Sequence, residues 1–215
     1  MFFFIFVPNT ILMAADFLQS SMKKNWQLIL PALKVPPKWN STVSFQDACY
    51  QSLNQQFDGT LYEVVKVSNL KFYDSTAGKK RDLIIEPESP VNTGKNKSDD
   101  TLAFWLKFRT GFKYSRIAIP LKREMYTTLT DSIAYAVYKT AQSEFLGELQ
   151  LQGGPAGCTM SISNVFDITP PCKLRLPVGV YNIVTHYPNF TTRNDSVSVY
   201  AGESIIKRIL LLPVE

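Results

Sequence analysis

The feature that most constrains this chain is a rhythm that begins at Gly147 and runs to Leu212. Short segments that alternate apolar and polar residues, GELQLQ, CTMSIS, CKLRL, VYNIVTHY, SVSVY and SIIKRILLL, are separated by Gly, Pro and Asn-rich punctuation. Alternation with period two marks strands with one face buried and one face wet. About six such strands at regular spacing predict a small β-sandwich over residues 147–215. Gly179 and Gly202 supply turn geometries that a β-carbon resists. Pro177 stands at a corner, where a missing amide costs no ladder bond. The Pro-Val-Gly turn then feeds an aromatic-marked strand at Val180 to Val184, and NVFDITPP, residues 164–171, reads as a connection.

The N-terminal two-thirds switch period. In SFQDACYQSLNQQFDG, residues 44–59, Phe45, Cys49, Leu53 and Phe57 recur every four positions, and Gly59 gives the stop, so an amphipathic helix is expected. Cys49 falls on its apolar stripe and reads as a small buried hydrophobe. A second helical period runs from Lys122 to Phe145, with Met125, Leu129, Ile133, Ala136 and Val137 on one face. Between the helices lie β-rich runs: TLYEVVKV, RDLIIEP, TLAFWLKF and YSRIAIP, with a turn at Gly111 and a polar loop over residues 88–100. Ahead of the first helix, NWQLILP reads as a strand. The order predicts a domain over residues 25–146 with a mixed or antiparallel sheet and two helices packed on it. The chain as a whole is expected to be α+β.

Residues 2–15, FFFIFVPNTILMAA, carry no charge. They are too few to span a bilayer, which takes about 20 residues. An apolar stretch of this length followed by small residues suits an export signal over residues 1–15, and the alternative is a buried strand ending at Pro8. The mature chain is then expected to have no transmembrane span. The net charge of +5 comes from scattered Lys and Arg, with no run longer than Lys79-Lys80-Arg81. Nucleic-acid binding would need a basic face with stacking aromatics or a named module, and neither is present, so no nucleic-acid partner is expected.

Inventory removes most catalytic templates. His186 is the only histidine and sits at a strand end before a turn. No CxxC spacing supports zinc, and neither phosphate-cradling glycine motif occurs. No catalytic residue, metal or cofactor is therefore expected. With residues 158–172 read as a hairpin centred on Val165, Cys158 and Cys172 face each other. Opposed residues have α-carbons about 4.5–5.5 Å apart, which suits a disulfide. The alternative is a pair of buried thiols in a reduced protein. Asn-x-Ser/Thr sites at Asn40, Asn96, Asn189 and Asn194 read as incidental.

The C-terminal motifs have a fixed order. Pro155-Ala156-Gly157, Thr169-Pro170, Leu176-Pro177-Val178-Gly179-Val180-Tyr181, Tyr187-Pro188-Asn189-Phe190, Val197-Ser198-Val199 and Ala201-Gly202-Glu203 precede a final apolar strand at Ile205 to Leu212. This order resembles the PEGA domain, a small extracytoplasmic β module of bacterial and archaeal proteins, over about residues 149–212. The sequence departs from the pattern at Cys158 and in the segment before Thr169. The resemblance implies a non-catalytic, periplasmic or otherwise extracytoplasmic module. The expected partner is an envelope protein complex or the cell wall. Trp39, Tyr114 and Tyr187 are the candidate surface contacts for a structural or assembly role. Two other classes stay open: a peptidoglycan- or glycan-binding module stacking aromatics on sugar rings, and an enzyme with an unrecognised site.

Overall fold

The structure, a computed structural model, describes residues 24–33, 45–58, 60–68, 70, 79–88, 101–121, 128–163 and 166–214. The export signal, Trp39, and the sites at Asn40 and Asn96 lie outside the described residues. The chain divides into two compact units, one holding Lys24–Asp58 and Tyr62–Glu144, the other built on Phe145–Glu215.

In the N-terminal unit a five-stranded sheet runs in the order β2-β1-β3-β4-β5. Its strands are β1 (Trp26–Pro31), β2 (Tyr62–Val67), β3 (Leu83–Pro87), β4 (Thr101–Phe108) and β5 (Tyr114–Pro120). β1 lies parallel to both β2 and β3, while β3, β4 and β5 are successively antiparallel. Helix α1 (Phe45–Phe57) makes the crossover that a parallel neighbour requires. Its stripe of Phe45, Cys49, Leu53 and Phe57 is buried. Helix α2 (Leu129–Thr140) buries Leu129, Ile133, Ala134 and Val137 and continues into a π-helical turn, Ala141–Phe145. Both helices pack against the sheet and against each other. Ser52 Oγ donates to Asp131 at 2.7 Å, and the Phe57 and Tyr138 rings meet edge to face at 5.3 Å. The mixed sheet with two helices is thus as the periodicity requires.

Among its described residues the C-terminal unit has seven strands in two sheets: β6 (Leu146–Gly153), β7 (Thr159–Ile162), β8 (Phe166–Ile168), β9 (Cys172–Pro177), β10 (Gly179–His186), β11 (Arg193–Val199) and β12 (Ser204–Ile209). One sheet is β11-β10-β7-β8 and the other β12-β6-β9. Their inward residues, including Leu149, Leu151, Leu174, Leu176, Met160, Ile162, Tyr181, Ile183, Val197 and Val199, form the core. The first and last strands of the unit, β6 and β12, pair in parallel. Gly147 on β6 leaves room for the Tyr200 carbonyl and the Val199 side chain, which any β-carbon there would strike.

Two expectations fail here. The connection at residues 164–171 contains a strand, because Phe166–Ile168 pairs with Thr159–Ile162 of β7. Three residues are too short a run to show a period. The hairpin argument for pairing Cys158 with Cys172 fails with it. The register joins Met160 to Ile168 and Ile162 to Phe166, so the hairpin centres on residue 164 and ends at Ile168. Cys172 belongs instead to β9 in the other sheet, opposite Leu151, while Cys158 precedes β7. Cys49, Cys158 and Cys172 are all free and buried.

Candidate functional site

The strongest surface constellation is the face of β3, β4 and β5 that the helices do not cover. Period-two alternation sends Leu102, Phe104, Leu106 and Phe108 of β4 into the core and turns Ala103, Trp105 and Lys107 the other way. The register aligns Lys107 with Tyr114, Trp105 with Arg116, and Glu86 with Trp105. Trp105 and Tyr114 are thus diagonal neighbours, and their rings meet edge to face at 5.5 Å and 76°. Tyr114 remains 66% exposed. At the β4–β5 turn, Phe112 stacks on Phe108 at 5.0 Å and is 63% exposed.

Two ion pairs frame the rings. Lys107 Nζ lies 2.8 Å from Glu86, and Arg116 donates to Glu88 through Nε and Nη2 at 2.8–3.2 Å. The Glu88 carboxylate raises the Arg116 guanidinium above its ordinary pKa through hydrogen bonding and then through charge. The face therefore offers Trp, Tyr and Arg side chains held in place by neighbours. Those residue types are the ones enriched at protein interfaces, where they carry most of the binding energy.

The other candidates are placed differently. Tyr187, in the C-terminal unit, is half-buried against Phe190 at 5.5 Å. His186 is exposed and meets Thr192 Oγ1 at 3.3 Å. The outer face of the four-stranded sheet holds a concavity of about 510 Å³ lined by Ser163, Asn182, Val184, Asn194 and Ser196, with no aromatic among its lining residues. Among the described residues no group of three or more His, Cys, Asp or Glu could hold a metal, and no helix is long and apolar enough to cross a membrane.

Displaced titrations map onto structural roles. Burial pushes the Cys49 thiol up to about 12, with the Asp131 charge adding to it, and burial pushes Cys172 up to about 11. Burial also raises Asp82, although its carboxylate accepts the Gln27 and Lys79 amides at 2.9 and 2.6 Å. There it ties the turn before β3 to the start of β1.

Sequence reading found Tyr114 and missed Trp105. The signal was available: in TLAFWLKF, Trp105 shares its parity with Lys107, not with the apolar set. No protein-family model matches this sequence, and no curated protein matches it.

Proposed function

We propose that this chain is a non-enzymatic component of the bacterial cell envelope that works by protein contact. The observation that carries the reading is the pairing of half-buried Trp105 with exposed Tyr114 on a sheet face, framed by the Arg116–Glu88 and Lys107–Glu86 pairs. Rings supported from the side lose little conformational freedom on binding, so a partner seated on them gains buried area at small entropic cost. The C-terminal unit fits a PEGA-like module in support. The Leu176–Tyr181 motif forms its corner, and the Ala201-Gly202-Glu203 turn leads into the last strand. In this reading the module works outside the cytoplasm and the chain needs no cofactor.

The same two rings are also the feature a sugar ring could stack on, so the glycan reading is kept as the second. Affinity capture from native membranes, set beside sedimentation with purified cell-wall sacculi, separates the two. Recovery of one dominant protein complex, repeated when that partner is used as bait, is the expected result. Sedimentation with sacculi and no captured complex would overturn the protein-contact reading in favour of the glycan one.

A further inference from the structure

The end of the C-terminal unit breaks the rule its other strands obey. On β7, β10 and β11 the outward positions include Ser161, Asn182, Asn194 and Ser196, as a wet face requires. From β12 onward, Ile205, Lys207, Ile209 and Leu211 are turned inward or half-buried. The alternate positions on β12, Ile206 and Arg208, are exposed, and after the strand ends at Ile209 so are Leu210, Leu212, Pro213 and Val214. Ile206, Leu210, Leu212 and Val214 are 55–72% exposed.

This row is a held structure. Thr191 N donates to the Leu212 carbonyl at 2.9 Å, Val214 N to the Asn189 carbonyl at 3.0 Å, and Arg193 Nη1 to the Leu210 carbonyl at 3.0 Å. A bridge between Phe190 and Pro213 places the Tyr187–Phe190 ring pair beside it. The charges around it are uneven. Asp195 is occupied by Arg193 at 2.7 Å and Lys207 at 3.0 Å. Glu148 is occupied by Lys173, Gln150 and Ser204. Glu203 lies beyond the opposite end of the row. Arg208, in the middle, makes no hydrogen bond or ion pair among the described residues.

We infer that this row is a peripheral membrane contact, seating Ile206, Leu210, Leu212 and Val214 in the headgroup–acyl boundary of an anionic bilayer, with Arg208 against lipid phosphate. A protein partner docked through side chains would need hydrogen-bonding groups to fix its register, and the row has none besides Arg208. What it offers is alternating aliphatic surface, one unneutralised cation and a neighbouring aromatic pair. That is the complement of an anionic lipid surface. The chain's net charge of +5 acts in the same direction.

Co-sedimentation of the full chain with vesicles tests this. Vesicles of phosphatidylcholine mixed with phosphatidylglycerol should bind it, less so as salt rises, and phosphatidylcholine alone should bind it weakly. The double variant Leu210→Ser/Leu212→Ser should lose about tenfold in binding, Arg208→Ala should lose the preference for anionic vesicles, and Val180→Ser, also exposed but on the other sheet, should bind as wild type. Near-identical circular dichroism and melting temperature would show that the variants fold. No binding by the wild type, or binding indifferent to the double variant, overturns the inference. So does a row variant that abolishes capture of a protein while vesicles never bind. The proposed protein-contact role rests on Trp105 and Tyr114 in the other unit, so it stands or falls separately.

Discussion

The buried Tyr181 hydroxyl donates to the carbonyl of Pro177 at 2.6 Å, closing the corner between β9 and β10. Gly179, at φ 146°, lets the chain turn between them, and the bond spans a motif that the sequence spells as Leu-Pro-Val-Gly-Val-Tyr. Tyr181→Phe keeps the ring and strands the carbonyl. The expected cost is about 1–2 kcal/mol in urea unfolding, with the slope of the transition unchanged.

Thr185 points into the sandwich core fully buried, and its Oγ1 has no hydrogen-bond partner among the described residues. A hydroxyl desolvated without compensation opposes folding. Thr185→Val replaces it with a methyl of similar volume and should raise stability by about 1 kcal/mol, seen as a higher urea midpoint.

The three thiols should behave as three separate, shielded groups. Titration with a thiol reagent should find three reactive cysteines in denaturant without prior reduction, and very slow reaction in the native protein, because burial suppresses the thiolate. A count of one in denaturant would mean that Cys158 and Cys172 are bridged after all.

Acid should weaken the C-terminal unit through Glu148. Burial pushes this carboxyl up, but hydrogen bonds from Lys173, Gln150 and Ser204, with the Lys173 charge, together leave it below the ordinary 4.5. A carboxyl lowered on folding contributes stability above its unfolded pKa, and that contribution is lost as pH falls through the folded value. Glu148→Gln should therefore flatten the fall in urea midpoint below about pH 4.5. Asp82 acts in the opposite sense. Its burial-raised pKa makes the native state more costly above that value, so Asp82→Asn should gain relative to wild type as pH rises from acid to neutral.

Much of this architecture is legible in the residues because its periods are long enough to count. The four-residue spacing of Phe45, Cys49, Leu53 and Phe57 could only be a buried helical stripe, and the alternation in TLAFWLKF could only be a half-buried strand. Three-residue β8 left no period to read, and its register decided the fate of Cys158 and Cys172. The candidate contact face was half legible. Tyr114 stood out as an aromatic at a strand start, but its pairing with Trp105 depends on the β4–β5 register, a long-range property. In SIIKRILLL the density of aliphatic residues reads as a buried strand, while only packing reveals that Ile206, Leu210 and Leu212 face outward.

The central claim, that Trp105 and Tyr114 form the contact with an envelope protein, is tested most directly by quantitative capture from native membranes. The bait is the wild-type chain beside a folded Trp105→Ala/Tyr114→Ala variant. The account predicts that the dominant partner is recovered by the wild type and reduced at least about tenfold by the variant, as loss of central aromatic anchors requires. Equal recovery by both would contradict it.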